Sequence, residues 1–154
     1  MKGSAFLHRT RATPRPERFV VAAVRPSERE MAFRVAEGSE DFCAVLSGAG
    51  EVTLVLPQEQ WVRASTLFLD PAVQTDYRVI TLVADIPPDA VGYVPAVTGA
   101  LAETGVQAAV LSGYSCDHLL IRDRDLARSL DLLQRAGAVA PTGSNTGDDH
   151  PLGS

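Results

Sequence analysis

Tyr77-Arg-Val-Ile-Thr-Leu-Val83 opens the stretch that decides the fold. After it come Asp85-Ile-Pro-Pro-Asp89, an alanine- and valine-rich run from Ala90 to Glu103, Val106-Gln-Ala-Ala-Val-Leu111, Leu119-Leu-Ile121 and a leucine-spaced run to Leu133. β-Branched and aromatic residues over Tyr77–Val83 predict a strand. Pro87 and Pro88 break it, and a helix is predicted from about Ala90 to Glu103. Pro95 lies near enough to its start that the missing N–H costs little, and Gly105 supplies a left-handed cap. Two strands follow, Val106–Leu111 and the segment around Leu119–Ile121, joined by the turn Ser112-Gly113-Tyr114. Leu126, Leu130 and Leu133 then share one face of a last helix that Asp123 or Asp125 caps and Gly137 ends. The order βαββα belongs to the ferredoxin-like α+β class, βαββαβ, an antiparallel sheet with helices on one face.

Upstream, Phe19-Val-Val-Ala-Ala-Val24 is a continuous apolar run that suits a strand buried on both faces. Phe42–Leu46 and Val52–Leu56 flank Ser47-Gly48-Ala49-Gly50, a hairpin signal with glycines to supply positive φ. Pro57 leads into a brief helix over Gln58–Ala64, and Leu67–Leu69 suggests a further strand. This half reads either as a degenerate second copy lacking its first helix or as strands donated to one shared sheet. The expected organisation is a flexible basic arm at 1–16, an N-terminal half at 17–75, a C-terminal half at 76–140, and a disordered, breaker-rich tail at 141–154.

Composition narrows the function. Among 154 residues, 45% are apolar and 21% charged, which is ordinary for a globular chain. No apolar run approaches the roughly 18 to 20 residues that cross a bilayer, and no secretory signal precedes the body. The expectation is a soluble, cytoplasmic protein with no membrane partner. Residues 1–35 carry a net charge of +5 and the remainder −10. The arginines of the arm are scattered and no aromatic platform is interleaved with them. An acidic body repels phosphate backbones, so no nucleic-acid partner is expected.

The second half resembles the ACT-domain family, in particular small stand-alone members with two ACT-like halves. Arg78-Val-Ile-Thr-Leu-Val83 is similar to the family's Arg-x-Ile-Thr-Leu strand. Ala90-Val91-Gly92 opens the first helix and Ala100-Leu101-Ala102 lies near its end. Gly105-Val106-Gln107 leads to a strand ending Ser112-Gly113-Tyr114, and Asp117-His118 starts the next. Upstream, Glu51-Val52-Thr53-Leu54-Val55-Leu56 is similar to the family's Glu-Gly-Leu-Thr-Leu-Val segment. The sequence departs from the family at Gly50-Glu51-Val52, at Pro87-Pro88 and at Cys116, all around the implied ligand site. The resemblance implies a non-catalytic regulatory module, commonly a homodimer. Its small-molecule ligand is an amino acid or related metabolite, held where the first strand meets the first helix. Asp85, Ile86, Val91, Gly92 and Tyr93 are the primary site residues, with Ser112, Gly113, Tyr114 and His118 on the turn that faces them. There Gly92 permits close backbone approach, helix N–H groups attract a carboxylate, and Asp85 or Asp89 can pair with an amino group.

Cys116-Asp117-His118 carries the rival reading, a small enzyme using the same crevice. On a strand Cys116 and His118 share a face and Asp117 takes the other, and an imidazole can activate a thiol. A pure protein-interaction module is the third reading. No Cys-x-x-Cys or His-Glu-x-x-His spacing is present, so no metal is expected. Gly48-Ala49-Gly50 lacks the Lys-Ser/Thr of a phosphate loop and joins two strands, so no cofactor is expected either. Cys43 reads as a small buried side chain.

Overall fold

A computed structural model of the chain describes residues 3–141; the expected disordered tail lies, apart from Pro141, outside the described residues. In the N-terminal half, β2 (Phe19–Val24) leads through a 3-10 turn at Pro26–Glu28 into α1 (Arg29–Glu37). Then come β3 (Ala44–Gly48), β4 (Glu51–Pro57) and α2 (Gln58–Ala64). The hairpin turns at Ala49 and Gly50, whose φ values of 52° and 80° are those of a two-residue primed turn. The expected strand at Leu67–Leu69 is absent, because Ser65–Leu67 tightens into a 3-10 turn after α2.

The helix α1 corrects the expectation that this half lacks its first helix. Its core-facing stripe is narrow: Ala32 is fully buried, Met31 and Val35 are partly so, and the rest is largely charged. It is held by side chains distant in sequence as well as by its own turns. The Gln60 amide donates to the Val35 carbonyl at 2.8 Å. Just before the helix, the Glu28 carboxylate accepts from Leu69 N–H at 2.8 Å and from Arg25 N–H at 3.2 Å.

The C-terminal half comprises β5 (Ala72–Ala84), α3 (Tyr93–Ala102), β6 (Ala108–Ser112), β7 (Asp117–Arg122) and α4 (Leu126–Arg135). α3 starts three residues later than its sequence suggests, because Gly92 at φ 83° ends the preceding loop in the left-handed region. α4 follows the leucine pattern, with Leu133 fully buried and Leu126 and Leu130 packed beside it.

Residues 3–14 differ most from expectation. They form a 3-10 helix at Gly3–Arg9 and β1 (Thr10–Pro14), not a flexible arm. Phe6 and Leu7 are 5% and 3% exposed, and Thr10 and Ala12 are buried as well. Charge on Arg9 and Arg11 masks this apolar face, since those side chains point outward while alternate residues point in. β1 pairs antiparallel with the end of β5, Thr10 opposite Ala84.

Among the described residues, seven strands form one sheet of order β3-β4-β2-β5-β7-β6, with β1 also on β5. In each half the strands lie as fourth-first-third-second. The first half reads β5-β2-β4-β3 and the second β1-β5-β7-β6. The strand β5 is thus the last strand of one unit and the first of the other. It changes partners near Asp76, where φ is 61° and the ladder with β2 shifts register. The expected boundary between residues 75 and 76 falls inside this shared strand.

The helices cover one face over two core clusters, one around Leu54, Leu56 and Trp61, the other around Ile80, Leu101 and Leu119. The opposite face buries Phe19, Val55, Val79 and Leu120 with Phe42 beside them. Phe42 precedes β3 at one end of the strand order. It nevertheless packs on His118 of β7 with ring centroids 4.5 Å apart, so the sheet curls and brings its two halves together.

Candidate functional site

An open groove of about 580 Å³ lies where the end of β5, the loop to α3 and the β6–β7 turn meet. That is within the size range of small-molecule sites. Its walls are apolar: Leu82, Ala84 and Ile86 on one side, Pro87, Pro88 and Ala90 along the loop, and Tyr93, Val94 and Pro95 from α3. Gly113, Tyr114, Ser115, Cys116 and Asp117 close the other side. The turn is fixed by the Gly113 N–H donating to the Cys116 carbonyl at 2.8 Å.

The start of α3 faces this space. Its first intrahelical bond runs from Ala96 N–H to the Gly92 carbonyl at 3.0 Å. Pro95 has no N–H, so the helix leaves over those of Tyr93 and Val94. Tyr93 itself is buried. Thr10 Oγ1 donates to the Phe6 carbonyl at 2.9 Å and shares a 3.1 Å hydrogen bond with the Tyr93 hydroxyl. Burial, and then the nearby Asp117 charge, push the Tyr93 hydroxyl above its usual pKa, against the opposing hydrogen bond from Thr10.

Asp117 is the one ionisable carboxylate among the groove residues, and no arginine or lysine lines it among the described residues. Leu82, its partner across the ladder, is apolar, and no ion pair forms on Asp117 among the described residues. The groove therefore offers one anionic group, two helix N–H groups and a mostly hydrocarbon surface. That combination suits a small molecule with a cationic nitrogen, a short apolar body and an acceptor for the helix end.

Of the residues expected at the site, Ile86, Gly92, Tyr93, Gly113 and Tyr114 line this groove. Four do not. Asp85 is exposed and its N–H donates to the Arg9 carbonyl at 3.1 Å, extending the β1–β5 ladder. Val91 is 83% exposed. Ser112 is an exposed member of the β6–β7 ladder. His118 points to the opposite face of the sheet, as strand alternation from Asp117 requires. Gly92 is needed for its positive φ, while the space beside its Cα is filled by the Gly3 backbone, 3.7 Å from where a Cβ would stand.

Asp117 and Cys116, which the sequence linked to catalysis, are groove residues. Ala84, Ala90, Val94 and Pro95 also line it. Such small and apolar residues carry no chemical signal in a sequence, and they become a site only when the loop and the turn are brought together.

On the far face a second arrangement runs through five side chains. Arg15 donates from Nη1 to Asp41 Oδ1 at 2.9 Å and from Nε to Thr81 Oγ1 at 3.2 Å. Thr81 Oγ1 lies 3.1 Å from His118 Nδ1, and His118 Nε2 lies 3.5 Å from Cys116 Sγ. Burial foremost, and the Arg15 charge after it, hold the His118 pKa below its usual value, against the opposing pull of Asp117.

The junction of the N-terminal half is shorter. There β2 ends at Val24 and the helical turn starts at Pro26, whereas the segment between β5 and α3 spans residues 85–92.

Comparison with known proteins agrees with this architecture. The ACT-domain family matches residues 72–135, and no curated protein matches the sequence. Among solved structures, a protein from Agrobacterium tumefaciens superposes with TM-score 0.72 at 21% identity, covering 92% of this chain and 98% of that one. A Vibrio cholerae protein of unknown function, described as a possible transport protein, gives 0.66 at 24% identity, covering 87% and 94%. The ligand-free regulatory subunit of aspartate kinase from Thermus thermophilus gives 0.61 at 10% identity, covering 81% and 95%. At such identities these structures share the fold with this chain. The βαββα unit that a neighbouring strand completes is thus the part of the chain, residues 72–135, that is similar to the ACT-domain family.

Proposed function

We propose that the chain is a non-catalytic regulatory module that binds an amino acid or a closely related amine-bearing metabolite in the groove between Ile86 and Asp117. The observation that carries this reading is the Asp117 carboxylate, unpaired among the described residues in an apolar groove without a cation. A ligand ammonium pairs with Asp117, the ligand carboxylate takes the N–H groups of Tyr93 and Val94, and an apolar side chain lies against Ile86 and Pro87. Similarity to the regulatory subunit of an aspartate kinase supports a regulatory role. The edge strands β3 and β6 leave backbone groups for pairing between copies, which supports a homodimer. Two free cysteines suit the reducing cytoplasm, and among the described residues no helix is long and apolar enough to cross a membrane.

The test is a thermal-shift series comparing amino acids with their deaminated and decarboxylated analogues. A ligand at about a hundred times its Kd stabilises the native state by about 2.7 kcal/mol. For a chain of this size that raises Tm by roughly 5 to 10 °C. Amino acids are expected to produce the shift and deaminated acids to lose it, and Asp117→Asn should abolish it while leaving the unliganded Tm nearly unchanged. If no amine-bearing compound shifts Tm, or if Asp117→Asn responds as the parent does, the reading is wrong.

A further inference from the structure

We infer that Cys116 is a reactive thiol which exchanges with small disulfides at the wall of the groove, activated by a hydrogen bond from His118. The argument begins with Arg15. A guanidinium only donates, so its Nε contact at 3.2 Å uses a lone pair of Thr81 Oγ1. Among the described residues, the one acceptor left for the Thr81 hydroxyl hydrogen is His118 Nδ1 at 3.1 Å. With Nδ1 accepting and the ring neutral, the imidazole proton sits on Nε2, 3.5 Å from Cys116 Sγ. The sulfur therefore faces an N–H donor that can stabilise negative charge developing on it as it attacks.

The surrounding fold holds this geometry. Phe42 packs against the His118 ring in a tilted arrangement with centroids 4.5 Å apart, and Asp41 anchors both Arg15 and the Phe42 N–H, the latter at 2.8 Å. Thr81 and His118 are direct partners across the β5–β7 ladder. Cys116 is also one of the residues that border the groove, and it is only partly buried. The ionisable groups near Cys116 are His118 and Asp117 of β7, Arg15 and Asp41 behind Thr81, Tyr114 of the same turn, and Tyr93 of α3 across the groove.

In the exchange, the Cys116 sulfur attacks one sulfur of a low-molecular-weight disulfide. The new S–S bond forms as the old one breaks, the leaving thiolate takes up a proton, and the Cys116 proton passes to solvent. The product is a mixed disulfide on Cys116, at the edge of the groove. Loss of ligand binding on modification rests on the proposed ligand site, whereas the reactivity itself does not.

The experiment uses the full chain carrying Cys43→Ser, so that Cys116 is the sole thiol, with the aromatic disulfide DTNB as probe and intact mass to count adducts. With the His118 N–H stabilising the charge that develops on sulfur, at pH 7 Cys116 should react about threefold faster than the free thiol of glutathione. His118→Phe and the isosteric Thr81→Val should each remove that advantage. Thr81→Val keeps the test decisive if His118→Phe fails to fold. A Cys116 rate no faster than glutathione, or an advantage that survives Thr81→Val, overturns the inference. The modified protein should also lose the thermal shift that an amino-acid ligand produces in unmodified protein. If no amino acid shifts the unmodified protein, the ligand reading fails while the reactivity stands; a retained shift after modification overturns the proposed blockade.

Discussion

Leu7→Ala tests whether the N-terminal segment is part of the fold or an appendage. Leu7 is 3% exposed in the 3-10 helix that packs against α3, in the cluster that holds Tyr93, Val97 and Leu101. Truncation to alanine removes the equivalent of three methylene groups from that cluster. At about 0.8 kcal/mol each, the lost burial alone is roughly 2.4 kcal/mol. The cavity adds to this to the extent that its walls do not collapse, giving about 2 to 5 kcal/mol in all. For a chain of this length that lowers Tm by roughly 5 to 15 °C. Urea unfolding followed by far-UV circular dichroism, with a thermal melt in parallel, measures both quantities. Leu46→Ala on the edge strand, where Leu46 is 67% exposed, serves as the reference and should stay within about 0.5 kcal/mol. Should Leu7→Ala match Leu46→Ala, the segment would be an arm that stabilises nothing, and its role as the closing element of the second unit would be refuted.

Two further outcomes follow from the structure. His118 is held neutral, its folded-state pKa lying below the unfolded value of 6.5 through burial and then Arg15. Above pH 6.5 both states are neutral and stability is flat with respect to this group. As pH falls from 6.5 through the folded-state value, the unfolded chain binds the proton first and stability declines. Urea melts between pH 7.5 and 5 should show this loss in the parent and a shallower one in His118→Asn; equal slopes would exclude the assignment. Gly92→Ala should cost roughly 1 to 2 kcal/mol, because a side chain is forced into φ 83°, although its Cβ meets only ordinary contacts. A neutral effect in denaturant melts would show that the loop relaxes and that the left-handed cap is dispensable.

The C-terminal unit was largely legible in the sequence because its signals are local. Tyr77–Val83, the leucines of α4 and the glycine after α3 each report a strand, a buried face or a cap through immediate neighbours. The hairpin before Val52 was legible for the same reason, since positive φ at Ala49 and Gly50 is a property of the turn alone. α1 escaped notice because one fully buried alanine and two half-buried neighbours give almost no periodic signal in a charged segment. The N-terminal strand escaped because arginines alternate with its buried residues. Within Ala5-Phe6-Leu7 the apolar content was visible, but what it packs against lies nearly a hundred residues away, on α3. The candidate site divides in the same way. Gly92 and Tyr93 stand at a junction that the strand-to-helix pattern marks. Asp117 and Cys116 join them only because the β6–β7 turn folds over that junction.

The sequence by itself determined the ferredoxin-like order of elements, the position of the junction that bears the groove, and the adjacency of Cys116 and His118 on one strand face. Those features depend on backbone preferences and on the two-residue period of a strand. Tertiary structure alone decided that β5 serves both units, that residues 10–14 complete the second, and that Arg15 and Phe42 reach His118. Each of these joins segments far apart in the chain, where closing the loop is opposed by entropy and only burial and strand pairing in the finished sheet stabilise the contact.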